Sequence, residues 1–239
     1  LEFDLVRKDG TAFEIGELGD NTASLRAAIR ADGLLARLLT SPTVEALILG
    51  HTRWASVGII SEPNAHPQCS DELERRDGPL WTAVLNGDVD NHADLIAAES
   101  LTISPAVTTD AKVIPALVSR RRGEGLAAAD AFRDAVASME GSVAIGASQA
   151  GDPDSLFLAL RGSGQALYVG LADDAFIVAS EPYGVVEETS SYLRMDGETP
   201  SNPDNPTASR GQIIELRAEG AGELGGISRW SYDGTELPV

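Results

Sequence analysis

From residue 141 onward the chain breaks into short apolar runs, 142–148, 155–160, 166–171 and 175–179, each closed by Gly, Asp or Pro. Runs of this length with such punctuation read as strands, and Gly162-Ser163-Gly164 and Asp173-Asp174 between them read as hairpin turns. Residues 211–217 and 226–232 add two strands behind a polar, proline-rich loop at 199–210. So many short strands must form sheets, and their apolar faces need cover.

The first half of the chain supplies cover. Thr108-Thr109-Asp110 are capping residue types, and behind them Val113, Ile114, Leu117 and Val118 form one apolar stripe at helical spacing. Arg120–Arg122 lie at the end of this helix, where cations suit the dipole and a solvated helix end is expected. Pro115 predicts either a bend or a delayed start. A second helix over 126–139 repeats the period with Leu126, Ala129, Phe132, Val136 and Met139. Upstream, Lys8-Asp9-Gly10 between 2–6 and 12–15 signals a hairpin, and Leu25, Ala28, Ile29, Leu34 and Leu35 predict one or two short helices. Buried strands are predicted over 43–54 and 80–85, a short helix over 92–98, and a long irregular stretch between the strands. Strands, a helix pair, then strands predict an α+β domain in which sheets pack together and helices cover the outside. No repeat or linker divides the 239 residues, so a single domain over 1–239 is expected.

With 43% hydrophobic residues the chain can bury a full core, and its one cysteine excludes a disulfide scaffold. A formal net charge of −19 repels phosphate backbones and anionic lipid, which argues against nucleic-acid and membrane partners. No apolar run approaches the roughly 20 residues that span a bilayer. A cytoplasmic protein is expected. His51, His66 and His92 lack metal-ligand spacing, so no metal is predicted.

Three motifs each join a strand's end to groups that recognise charge: His51-Thr52-Arg53-Trp54-Ala55-Ser56, Leu85-Asn86-Gly87 and Thr108-Thr109-Asp110. A guanidinium binds a carboxylate through two parallel hydrogen bonds, a carboxylate binds an ammonium, and an Asn amide beside a Gly N–H can stabilise an oxyanion. Together they fit an α-amino acid with a reactive side-chain carbonyl. Each has a plainer reading alone: Arg53 pairs with a nearby acid, Asn86-Gly87 makes a turn, Asp110 caps a helix, and Trp54 packs in the core. Cys69 reads as an ordinary thiol in a loop.

Taken in order with Asn64-Ala65-His66-Pro67, these motifs resemble the glutaminase domain of the glucosamine-6-phosphate synthases (glutamine–fructose-6-phosphate aminotransferases), class II glutamine amidotransferases. The likeness runs on through residues 158–164, 175–180 and 211–216. It implies a four-layer αββα sandwich of the N-terminal-nucleophile hydrolase type. It also implies hydrolysis of L-glutamine without a cofactor, the ammonia passing to fructose 6-phosphate on a separate sugar-phosphate isomerase domain. Arg53 then corresponds to the residue holding the glutamine α-carboxylate, with Ser56 beside it, and Asp110 to the residue holding the α-ammonium. Asn86 and Gly87 correspond to the oxyanion pair and Trp54 to the residue gating ammonia. A homo-oligomer is compatible with this reading.

The family's nucleophile is an N-terminal cysteine whose own α-amine, with a pKa of about 7.7–8, is the base. Leu1 cannot serve, and Cys69 lies inside the chain, so the resemblance places the nucleophile upstream of Leu1. Val57 and Leu85 stand where the synthases usually have His, Ala111-Lys112 replaces Thr-Glu, and 199–210 resembles an insertion. Two alternatives stay open: a non-catalytic glutamine-binding module, and the glutaminase domain of another class II amidotransferase, such as the purine-pathway phosphoribosyl type or asparagine synthetase.

Overall fold

The computed structural model describes residues 20–40, 47–53, 56–74, 78–202, 204 and 209–239. The predicted hairpin over 2–15 lies outside them, as does Trp54. The predicted helices after Asn21 are α1 (Asp20–Ala31) and α2 (Gly33–Leu39). Asp32 separates them because its carboxylate accepts the N–H groups of Leu34 (2.9 Å) and Leu35 (3.1 Å), satisfying donors that open α2. In chain order there follow β1 (Gln68–Cys69), β2 (Trp81–Gly87), α3 (His92–Ala98), a 3-10 turn (Asp110–Lys112), α4 (Val113–Gly123) and α5 (Ala128–Ala137). The rest is β3 (Val143–Gln149), β4 (Asp152–Arg161), β5 (Tyr168–Leu171), β6 (Phe176–Ala179), α6 (Tyr183–Val186), β7 (Tyr192–Arg194), β8 (Gln212–Arg217) and β9 (Ile227–Ser231).

Six strands form one antiparallel sheet in the order β1-β2-β3-β4-β8-β9, and three form another in the order β6-β5-β7. The alternation along β4 shows how they stack. Phe157 and Ala159 point to α4 and α5, joining Ile114, Leu117, Phe132 and Val136, while Leu158 and Leu160 point to the other face, joining Val169 of the smaller sheet and Met195 just beyond β7. The strand is thus apolar on both faces, and each fully buried large side chain contributes about 1.5–3 kcal/mol. On the outer face of the smaller sheet, a Cβ on Gly170 would lie 2.6 Å from Val185 Cγ1 of α6, so the short helix packs closely over it. Helix, sheet, sheet, helix is the predicted αββα order.

Pro115 delays the helix rather than bending it. It falls in the first turn of α4, where its missing N–H is one of the donors left unpaired anyway. The strand predicted over 43–54 is corrected in its described part. Residues 47–53 are not in a strand and Ile48 is 81% exposed. Leu49 instead lies across the larger sheet, its Cδ1 3.3 Å from where a Cβ on Gly146 would sit and near Val84, so this segment covers a face that Gly146 leaves open. Cys69 is likewise not in a loop: it pairs with Thr82 as part of the edge strand β1.

Candidate active site

The two candidate motifs on either side of β2 in sequence converge at its C-terminal end. Beyond Gly87, the Val89 N–H donates to Asp110 Oδ2 (2.7 Å), and Asp110 is 4% exposed. Arg53 is close enough that Asp110 raises the affinity of its guanidinium for a proton, although burial acts more strongly and leaves it below the ordinary arginine value. The guanidinium donates to the carbonyls of Val57 and, at 3.5 Å, Ile59. Ser56 Oγ donates to Asp88 Oδ1, tying the same loop to the end of β2. Arg53, Ser56 and Asp110 are thus brought to the end of β2 from separate segments of the chain.

Strand geometry aims the third group. In β2 the Trp81 N–H donates to Ser70 Oγ (3.0 Å) and the Leu85 N–H to His66 Nδ1 (3.4 Å), both on the side of β1. The Asp88 N–H donates to the Ser142 carbonyl (3.1 Å), on the side of β3. The two-residue period of an antiparallel ladder therefore turns the Gly87 N–H away from β3, toward the side where β1 has already ended. Gly87 has φ +118°, and a Cβ there would sit 2.0 Å from the Ser142 oxygen, so only glycine fits. Asn86 precedes it with an exposed side chain.

The histidines take structural partners. Because His66 Nδ1 accepts from a backbone N–H, its proton sits on Nε2, which lies 3.5 Å from Thr109 Oγ1. The His51 ring stands 4.5 Å from that of His66, and burial, reinforced by Arg53, pushes its pKa down to about 4. His92 Nδ1 contacts the Val89 carbonyl at 2.9 Å. Among the described residues no group of three His, Cys, Asp or Glu is placed to hold a metal ion, and no helix is long and apolar enough to cross a membrane.

The arginines at the end of α4 are not the solvated helix end expected from sequence. Arg120 pairs with Glu72, Arg121 with Glu99 and Asp134 (2.6 Å each), and Arg122 donates to Gln149 Oε1 (3.1 Å) and the Leu126 carbonyl (2.5 Å). Their partners lie up to 48 positions away in sequence, so nothing local announces them. Asp88, which accepts from Ser56, and the buried Asn64, which accepts the Thr108 and Thr109 N–H groups, were not among the candidates read from sequence. Asn64 had a visible signal in the Asn-Ala-His-Pro motif, whereas Asp88 had none.

No family model matches the chain. It is 33% identical over 150 residues to the glutamine–fructose-6-phosphate aminotransferase (isomerizing) of Shouchella clausii, covering 63% of this chain and 24% of that protein. The enzyme of the same name from Geobacillus kaustophilus is 33% identical over 165 residues, covering 68% and 26%. Among solved structures, the glutamine phosphoribosylpyrophosphate amidotransferase from B. subtilis, complexed with ADP and GMP, matches with a TM-score of 0.54 at 19% identity, covering 76% of this chain and 34% of that one. The chain is similar, over about a quarter of their length, to the glutamine–fructose-6-phosphate aminotransferases, and it has the α+β sandwich fold of the N-terminal-nucleophile amidotransferases.

Proposed function

We propose that residues 1–239 form a single glutaminase domain that hydrolyses L-glutamine to glutamate and ammonia, the ammonia passing to fructose 6-phosphate on a separate isomerase domain. The observation that carries this reading is the gathering of Arg53, Ser56 and Asp110 at the end of β2, where Gly87 holds a left-handed backbone at φ +118°. In it Arg53 holds the α-carboxylate with Ser56 beside it, and Asp110 holds the α-ammonium. This leaves the side-chain amide near the end of β2, where Asn86 and Gly87 stabilise the oxyanion formed on its carbonyl oxygen. Trp54 gates ammonia. The protein works in the cytoplasm.

Net reaction uses one water and releases one ammonia per glutamine, so glutamate and ammonia appear in equal amounts when no acceptor is present. The full-length protein should release both and should be inactivated by a glutamine-like electrophile. Failure of both, with glutamine binding retained in calorimetry, would make it a non-catalytic glutamine-binding module. The likeness to a phosphoribosylpyrophosphate amidotransferase favours a second acceptor class, and supplying fructose 6-phosphate or phosphoribosyl pyrophosphate to the full-length protein separates the two.

A further inference from the structure

Asn64 is 0% exposed and its one amide touches both loops that carry the charged residues. Its Oδ1 accepts the N–H groups of Thr108 (2.7 Å) and Thr109 (3.0 Å), immediately before Asp110. Its Nδ2 donates to the Ile59 carbonyl (3.0 Å), Ser61 Oγ (3.0 Å) and Thr108 Oγ1 (3.1 Å). Two backbone N–H donors on one side and a carbonyl on the other fix which way the amide points. The Ile59 carbonyl also receives Arg53, so an unbroken path runs from the guanidinium through Ile59 and Asn64 to the backbone that bears Asp110.

We infer that Asn64 is the positioning residue that sets the separation of Arg53 and Asp110 and so matches the site to the carboxylate and ammonium of an α-amino acid. This rests on the glutaminase reading and deepens it. A buried amide that satisfies groups on two loops holds them in one register, because moving either loop leaves a buried polar atom without its partner. The contact is made through the loop and not to the substrate. Its loss therefore falls on binding of the α-carboxylate, leaving the reacting amide in place.

The test uses the full-length protein. Asn64→Asp keeps the shape and the two accepted N–H bonds but cannot donate to Ile59. Its KM for L-glutamine should rise by about tenfold or more while kcat stays within about threefold. The α-methyl ester of L-glutamine keeps the ammonium and the side-chain amide but offers Arg53 no carboxylate. For it, wild type and variant should agree within about threefold in kcat/KM. Thr108→Val, which removes only the hydroxyl acceptor, should raise KM for glutamine by about two- to fivefold, and it decides the matter by the same substrate comparison if Asn64→Asp does not fold. Equal losses on both substrates, a fall in kcat alone, or unchanged KM in both variants overturns the inference. Absence of glutamine binding to the wild type in calorimetry overturns the glutaminase reading itself, and the inference with it.

Discussion

Glu72 and Arg120 meet as a bidentate pair, Arg120 Nε 2.8 Å from Oε1 and Nη2 2.6 Å from Oε2, with the two side chains 2% and 14% exposed. Glu72 also accepts the Thr102 N–H (2.8 Å), and Arg120 donates to the carbonyls of Glu99 and Ser100, so the pair joins the segment before β2 to α4 and to the end of α3. Burial alone would raise the Glu72 pKa, but the hydrogen bonds from Arg120 and Thr102 outweigh it and hold the carboxyl below the ordinary glutamate value. A folded-state pKa below the unfolded one gives stability that is present above the ordinary glutamate range and lost as pH falls through the lowered value. Glu72→Gln should lower unfolding free energy in urea by about 3–5 kcal/mol at neutral pH, because it leaves a largely buried guanidinium uncompensated. It should also flatten the acid limb of the stability curve. A neutral-pH loss below about 1 kcal/mol would mean that the pair behaves as a surface bridge.

Arg53 and Asp110 make the most direct test of the site. Arg53→Lys keeps the charge but loses the paired donors, and Asp110→Asn keeps an acceptor for the Val89 N–H but loses the charge. A hydrogen bond to a charged group is worth about 1.5–3 kcal/mol, so each variant should weaken glutamine binding by about 10- to 100-fold in calorimetry. Melting temperatures should change little. Unchanged affinity in both would remove these residues from the site.

The layered fold was legible where period-2 and period-3.6 patterns coincide with burial: Phe157 and Leu158 already point to opposite faces in the sequence, and α5 buries the stripe through Phe132 and Val136, whereas α4 is buried on every side over 113–119 and not along the one stripe expected. The end of β2 bearing Asn86 was legible for the same reason, since polar residues followed an apolar run, whereas Asp110 lies not at a strand's end but in the 3-10 turn that opens α4, as its capping-type neighbours suggested. Three things were not. The strand β1 is two residues long and is held by the Lys112 ammonium on the Cys69 carbonyl (2.6 Å) and by Gln68 on Ala65 (2.7 Å), contacts with no periodic trace. The segment 47–53 is apolar like a strand, yet it is placed by the bare face of Gly146. The pairing of Ser56 with Asp88 joins residues 32 apart that only the fold brings together.

Gly87 offers a test of backbone geometry separated from chemistry. Its φ of +118° and the Ser142 oxygen 2.0 Å from a would-be Cβ combine strain with a backbone clash, whereas Gly125, with φ +101°, has nothing within 4 Å. Gly125→Ala should therefore cost only the left-handed strain, about 1–2 kcal/mol. Gly87→Ala should cost about 3 kcal/mol or more and should abolish the proposed glutaminase activity in whatever fraction folds, because relief of the clash turns the Gly87 N–H. Equal destabilisation by the two substitutions would show that β2 and β3 yield locally.

His51 gives the pH dependence with the clearest sign. Burial first and Arg53 second lower its pKa to about 4 from the usual 6.5, with the His66 ring tilted against it at 4.5 Å. The folded state therefore holds His51 neutral while the unfolded chain takes up a proton below 6.5. Stability contributed by the neutral ring is complete above pH 6.5 and is lost as pH falls toward 4. His51→Gln should remove that part of the slope, read as urea unfolding free energy between pH 7 and 4, and leave the acid limb due to Glu72. Ring-proton NMR of the wild type should show His51 titrating near 4 and unchanged between the pH values where glutamine binding is measured. A midpoint at the usual histidine value would place the ring in solvent and free the site's charge balance to change near neutrality.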